Sequence, residues 1–336
     1  MSRPVISEFF EEKFVQKVLS RGNSENTAER YLTEISKFDD WLSKDRESDL
    51  HEATISDIRI RLEELATPSR DRGPYSGSTI KRKRAALSQF FQLGREVCED
   101  YEMDFSIEGN PAVELNQSWS TETKKSQSEE IKSRGGIYYL ESSDIRKLVD
   151  NVPAPKTRNS LIVKILYNCG LRRGELASIH LDNLDRNSQT INIPAIKSKE
   201  PRKVTYSPMY VGFMLDEWLD AGYRDAVFYA REHDSDYLFP TDTREHISGK
   251  QVNQIVTQAA ENAGLQEDTH EYSDGRQGHK ISAHVLRHSY AVQAIKSGIN
   301  LRSLQKLMGH EDLSNTEIYL KIAEEDYVEE SRKFSI

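Results

Sequence analysis

The chain has 336 residues, with 36% hydrophobic and 30% charged residues and a net charge of −9. That length and balance suit two globular domains with charged surfaces, and exclude a collagen-like or membrane-embedded polypeptide, since nowhere do about 18 apolar residues run together. Cys98 and Cys169 are too few for a disulfide scaffold or a cysteine-rich zinc site, and the opening "MSRPVISEFFEEKF" lacks a secretory apolar stretch, so a reducing cytoplasm is the expected compartment. The acidic total weighs mildly against nucleic-acid binding, but basic residues cluster at "SRDR" (69–72), "KRKR" (81–84) and "KSKEPRK" (197–203). It is the local clustering that matters for binding phosphate backbones.

Residues 1–114 read as helical. In "SENTAERYLTEISKFDDWL" the apolar Tyr31, Ile35, Phe38 and Leu42 recur every three or four residues, which is one helical face, with a start expected at Asn26 or Thr27. "ATISDIRIRLEELA" repeats the pattern with Ile55, Ile58 and Leu62, and the Pro and Gly of "PSRDRGPYSG" mark a loop. A long helix is predicted from "STIKRKRAALSQFFQLGREV", anchored by Ile80, Ala86, Leu87, Phe90 and Phe91. Lys81, Arg82, Lys83 and Arg84 crowd its beginning. Positive charge there opposes the helix dipole, so contact with phosphate is one justification for it.

Residues 116–136 are polar and rich in Ser, Thr and Lys, as an interdomain linker is, and a second domain is expected over 137–336. "RNSLIVKILYNCG" is an apolar helix stopped by Gly170, and "LRRGELASIHL" resumes at once. "QTINIPAI" and "RKVTYSP" alternate around a charged tip as a β-hairpin does. "SGKQVNQIVTQAAENAGL" is a helix with Val252, Ile255, Val256 and Ala259 on one face and Gly264 as its stop. "QEDTHEYSDGRQGHK" has almost no apolar residue and reads as a loop. "HVLRHSYAVQAIKSG" is a helix ended by Gly298. "NLRSLQKLMG" is a short one, capped by Asn300, stopped by Gly309, with Leu301, Leu304 and Leu307 as its buried row. Ser314 and Glu317 then fit a capping box that starts a helix bearing Tyr319.

His284 and His288 stand four residues apart on one helical face, the spacing of zinc-protease histidines. The glutamate base of that motif is replaced by Val285 and no third ligand is evident, so no metal is expected. Taken singly, Arg172, Arg287, His284 and Tyr319 read as ion-pairing or packing groups.

Taken together they resemble a family. "CGLRRGEL", "HVLRH" and "LMGHEDLSNTEIY", in this order and spacing, resemble the three boxes of the tyrosine recombinases, the phage-integrase and Xer-like family. "NTAERYLTEISKFDDWL" and "STIKRKRAALSQFF" are similar to that family's core-binding domain, so nearly the whole chain is covered. The resemblance implies a mainly α fold with a small antiparallel sheet: an all-α, SAM-like core-binding domain at 1–115, a linker at 116–136, and a mixed α/β catalytic domain with a C-terminal tail at 137–336. It implies Arg172, Lys197, His284, Arg287 and His310 as catalytic residues with Tyr319 as nucleophile, and Glu175 and His288 as supporting groups. The hairpin lysine is carried by Lys197, with Lys199 close enough to compete. Lys81, Arg82, Lys83, Arg84, Lys199 and Arg202 are DNA-contact candidates. Cys169 stands where the family commonly has threonine, at a position that faces packing.

The implied reaction is strand cleavage and rejoining through a 3′-phosphotyrosyl intermediate, without cofactor, metal or ATP. A phenol is about 0.1% ionised at neutral pH and needs a base or a positive field to attack. Two arginines can neutralise the pentavalent phosphate, and a lysine can protonate the leaving 5′-oxygen. His284 would manage the proton at Tyr319, and His310 would donate to the phosphate. The implied partners are a double-stranded recombination site and further copies of the chain, a dimer on a site and a tetramer in synapsis. The implied location is cytoplasmic, on the nucleoid, with no membrane. The acidic segment after Tyr319 would pack on a neighbouring copy and gate the tyrosine. A type IB topoisomerase activity, or a silent DNA-binding protein on the same fold, are the alternatives. Neither the target sequence nor the choice between integration, excision and dimer resolution can be read from the chain.

Overall fold

The computed structural model describes residues 8–50, 52–68, 74–102, 110–114, 137–195, 200–227, 235–271, 277–310 and 316–320. They fall into two compact units: residues 1–128 with 271–276, and the rest. No helix among the described residues is long and apolar enough to cross a membrane.

The first unit is all helical: α1 (Glu8–Ser20), α2 (Glu25–Trp41), α3 (Ile55–Ala66), α4 (Gly77–Asp100) and a short α5 (Pro111–Glu114). The predicted faces meet in one core. Ile35, Phe38, Leu42, Ile58, Leu62, Ile80, Leu87, Phe90 and Phe91 are buried together, with Phe10 and Phe14 of α1 against them. Tyr31 and Ile55 are only partly covered at its edge. The start of α2 moves from the expected Asn26 or Thr27 to Ser24 as the N-cap residue. A reciprocal capping box opens α3: Asp57 N donates to Thr54 Oγ1 (3.3 Å), and Thr54 N donates to the Asp57 carboxylate (2.9 Å). Arg46 Nε adds 2.9 Å from the other side.

The second unit carries α6 (Ser142–Asp150), α7 (Lys156–Cys169), α8 (Arg173–Ala177), α9 (Phe213–Asp220), α10 (Tyr223–Ala226), α11 (Gly249–Asn262), α12 (Ala283–Lys296) and α13 (Leu301–Met308). Residues 316–320 are helical as well. Strands β1 (Leu184–Asp185), β2 (Thr190–Ile193) and β3 (Arg202–Thr205) form an antiparallel sheet in that order, with Ile191 opposite Val204 and Ile193 opposite Arg202. The fold is thus mainly α with a small antiparallel sheet, and the predicted hairpin is β2–β3.

Apolar α7 lies at the centre of the main core, with eight of its fourteen residues buried, and α12 packs along it. Both end in the left-handed turn that only glycine takes without strain: Gly170 has φ 61° and Gly298 φ 86°. Gly170 is also a close approach, since a Cβ there would fall 2.3 Å from the ring of Tyr290 on α12.

The structure departs from expectation in two places. The polar stretch 266–280, expected to be loop, holds a two-stranded ladder, β4 (Asp268–Glu271) with β5 (Gln277–His279). Backbone pairing needs no apolar face, so period-2 hydrophobicity could not reveal it. Its base is clamped by Gln266, whose Oε1 accepts from Ile281 N (2.8 Å) and whose Nε2 donates to Ile281 O (3.0 Å). In α13 the deep row is Leu304 and Met308, each 0% exposed, while Leu301 and Leu307 are only partly covered.

Candidate active site

Glu175 is the hub of the site. It is 5% exposed and sits in the first turn of α8, and its carboxylate gathers three arginines from separate elements. Arg172 precedes that helix, donating its backbone N–H to Oε2 (2.7 Å) and Nη1 to Oε1 (2.8 Å). Arg202, at the start of β3, forks onto both oxygens at 3.0 and 2.7 Å. Arg287 of α12 lies 3.8 Å from Oε2. Burial alone would raise the Glu175 carboxyl, but the hydrogen bonds and charge of Arg202, then those of Arg172, hold it below the usual carboxylate range.

The same guanidinium groups close two helix ends. Arg287 Nη1 donates to Gly170 O and Nη2 to Met308 O, both at 2.6 Å. Arg172 Nη2 donates to Gly309 O (3.0 Å), and Arg202 Nε to Leu307 O (2.7 Å). The last carbonyls of a helix lack internal partners. Here the arginines that surround Glu175 supply donors, so the turns at Gly170 and Gly309 and the charge cluster are one structure. Burial, reinforced by the positive charge of Arg172, lowers the pKa of Arg287 to about 10, with Glu175 pulling the other way.

Tyr319 faces this cluster and is 2% exposed. Its Oη lies 2.7 Å from Nδ1 of His288, a hydrogen bond whose direction follows the imidazole tautomer. His284 meets the His288 ring edge-on at 4.2 Å. His310, past the left-handed Gly309, lies nearly parallel to the Tyr319 ring at 6.5 Å, and its Nδ1 pairs with Thr316 Oγ1 (2.9 Å). Burial pushes the phenol up to about 12 against the opposing field of Arg287 and Arg172. Burial, followed by the charges of Arg287 and Arg172, lowers His310 to about 4, so it is neutral at physiological pH.

Arg172, Glu175, His284, Arg287, His288, His310 and Tyr319 therefore lie in one linked region of the second unit. Lys197, Lys199, Ser314 and the acidic segment beyond residue 320 lie outside the described residues. Two expected DNA contacts are otherwise engaged. The Arg202 side chain is 7% exposed with its three nitrogens bound to Glu175 and Leu307, so it braces the site from within. Strand alternation carried that signal: Arg202 is two residues from Val204, which is 1% exposed. Lys83 turns to Glu34 and over the ring of Tyr75 (4.8 Å). Lys81 and Arg82 are exposed, and Arg84 is half-buried. The contact between Tyr319 and His288 escaped helical periodicity because His284 and His288 share a face. Thr316, 0% exposed, is a further unexpected member of the site; it lies one helical turn before Tyr319.

A tyrosine set beside a buried arginine and a half-exposed one, with a histidine at its hydroxyl, defines a class of site suited to nucleophilic attack on a phosphodiester. The comparisons agree. Residues 138–326 match the phage integrase family and residues 12–95 its N-terminal SAM-like domain. The chain belongs to the phage integrase family of tyrosine recombinases. It is 25% identical to tyrosine recombinase XerC of Oceanobacillus iheyensis over 320 residues, covering 95% of this chain and 93% of that one. It is 26% identical to XerD of Haemophilus ducreyi over 327 residues, again 95% and 93%. The fold is shared with a lambda integrase dimer bound to a core site (TM-score 0.61, 15% identity, 93% and 94% coverage). It is shared also with the XerH recombinase bound to its difH substrate (TM-score 0.59, 19% identity, 92% and 80%).

Proposed function

We propose that this site-specific recombinase cuts a DNA strand by attack of Tyr319 Oη on the scissile phosphate, leaving a 3′-phosphotyrosyl link and a free 5′-hydroxyl. The observation that carries the residue assignment is the convergence of Arg172, Arg287, His310 and Tyr319 on one buried network around Glu175. Arg172 is the accessible half of the clamp, with 29% of its side chain exposed, and meets the nonbridging oxygens first. Arg287 supplies fixed positive charge behind it. Its terminal nitrogens already hold two carbonyls, so its position is set before DNA arrives, which is how preorganised donors stabilise a transition state. His310, neutral and tied to Thr316 through Nδ1, is left to donate from its other ring nitrogen. Lys197, or Lys199 beside it, protonates the leaving 5′-oxygen. The phosphotyrosyl link keeps the energy of the broken bond, so a 5′-hydroxyl from a partner strand reseals the DNA without ATP.

The partners are a double-stranded site and other copies of the chain, consistent with relatives captured on DNA, one of them as a dimer. The workplace is cytoplasmic DNA. The exposed Lys81 and Arg82 at the start of α4 contribute phosphate contacts. The boundaries read from the sequence, a core-binding domain ending at 115 and a catalytic domain starting at 137, assign those contacts to the first domain and the chemistry to the second.

The test is covalent capture on nicked suicide duplexes, whose cleaved fragment diffuses away and traps the adduct. Wild type is expected to form a protein–DNA adduct and Tyr319→Phe none. Equal behaviour of the two proteins would remove Tyr319 from the chemistry.

A further inference from the structure

The proposed chemistry gives no task to Thr316, although its side chain is 0% exposed and stands one helical turn before the nucleophile. Its Oγ1 lies 2.9 Å from Nδ1 of His310. A buried hydroxyl needs an acceptor for its proton, and among the described residues the His310 ring is the polar group that Oγ1 meets. A neutral imidazole carries a single N–H, so the partner of one ring nitrogen decides what the other can do.

We propose that Thr316 is a positioning residue that donates its hydroxyl proton to His310 Nδ1 and so keeps the histidine's own proton on Nε2, the nitrogen left for the scissile phosphate. The inference rests on the recombinase reading above, in which His310 donates to that phosphate. The opposite arrangement fails on two counts. With the ring proton on Nδ1 the hydroxyl would have to accept, and its own proton would be stranded in the interior. Nε2 would then turn a lone pair toward an anionic oxygen, which repels it. A donating hydroxyl satisfies both partners with one bond and leaves the ring the useful way round. A carboxylate or carbonyl in the same place can only accept, and would impose the other tautomer.

The surroundings make this choice matter. Burial and the charges of Arg287 and Arg172 hold His310 neutral at physiological pH, so no second ring proton is present to serve both nitrogens. The residue is held by its main chain as well: His310 N donates to Gln305 O (3.1 Å), and Gln305 Nε2 donates to His310 O (3.2 Å). The end of α13 therefore fixes the backbone while Thr316 fixes the ring. Thr316 and Tyr319 share the helical stretch 316–320, so one contact also ties the phosphate donor to the element that carries the nucleophile.

The test has two arms, both on the full chain. The first uses protein without DNA carrying ¹⁵N-labelled histidine, with the His310 signals assigned as those missing from His310→Gln. At about pH 7 the ring shifts are expected to show a protonated Nε2 and a lone-pair Nδ1. A proton on Nδ1, or an even mixture of the two forms, overturns the inference. The second arm measures single-turnover adduct formation on nicked duplexes randomised across the cleavage region, from which wild type captures its own substrates. Thr316→Val keeps the shape and removes the hydroxyl. It should slow adduct formation about 10- to 100-fold at unchanged duplex affinity, the worth of a histidine's orienting partner at metal sites. Thr316→Ser, which keeps the hydroxyl, should restore most of the rate. His310→Gln places an amide N–H where Nε2 stood and has no tautomer to set, so adding Thr316→Val to it should cost less than about twofold. A wild-type rate in Thr316→Val overturns the inference, as does a serine variant as slow as the valine one. A valine effect undiminished in the His310→Gln background also overturns it, leaving Thr316 a packing role. Absence of any adduct from wild type overturns the recombinase reading instead, and the ring measurement, made without DNA, still decides the tautomer.

Discussion

The two units treat charge in opposite ways. In the first, most ionic groups decorate a core of Phe, Leu and Ile, with pairs such as Arg21 with Glu96 and Arg61 with Glu64 at the surface and Asp57, held by Arg46 and the Thr54 cap, as the buried exception. In the second, Glu175 and Arg287 are 5% and 1% exposed at the meeting of α8, β3, α12 and the turn after α13. Surface pairs trade protein contacts for water contacts at little gain, whereas a buried charge that loses its partner has nothing to replace it. The difference teaches where this molecule can be altered. Outside the Asp57 cap, one unit tolerates changes of charge, and the other is built around a charge cluster it cannot dilute.

The contrast breaks most sharply at Glu175. Replacing it by Ala leaves Arg202 and Arg287 buried without their counter-ion, and thermal or denaturant melting should show a loss of about 3–5 kcal/mol. Covalent adduct formation should vanish with it. Gly170→Ala should cost about 1–3 kcal/mol, from the left-handed backbone and the collision with Tyr290. Thr54→Ala, at the best-made polar feature of the first unit, should cost about 1 kcal/mol through the lost cap on α3. Smallest in stability is Lys81→Ala with Arg82→Ala, expected within about 0.5 kcal/mol of wild type. There the readout is DNA affinity against salt, whose slope should fall by roughly one for each lysine or arginine that contacts phosphate.

Acid sharpens the same comparison. Glu175 is held below the carboxylate range in the fold, so its contribution is complete at neutral pH and is lost as pH falls through its folded value. His310 acts in the same direction. Its pKa is lowered from 6.5 to about 4, so the unfolded chain takes up a proton in that window while the folded chain does not, and stability falls as pH drops through it. Proton NMR should find the His310 ring neutral down to about pH 5.

Much of this was legible in the sequence because it depends on local rules. Apolar spacing located the helices, and glycine and asparagine punctuation located their ends, as at Gly170, Gly298 and Asn300, whose side chain accepts from Ser303 N at 2.9 Å. The proposed site residues stand in the three boxes that carry the family resemblance. What stayed hidden was partnership. "KSKEPRK" reads as a charged tip, yet Arg202 belongs to the interior because its neighbour two residues on is buried. His284 and His288 are one turn apart, and helical periodicity cannot say which of them meets a tyrosine more than thirty positions away. The ladder at Asp268–Glu271 is made by backbone groups, which every sequence has.

Arg172 and Arg287, which cap Gly309, Gly170 and Met308, would on the proposed mechanism serve folding and activity at once. Tyr319 is different, since phenylalanine fills the same space and gives up a single hydrogen bond to His288. A copy of this gene freed from selection therefore has an asymmetric route to silence. On the proposed mechanism, losing Tyr319 would leave an intact but inert protein, whereas losing one of the arginines would cost the fold as well as the reaction.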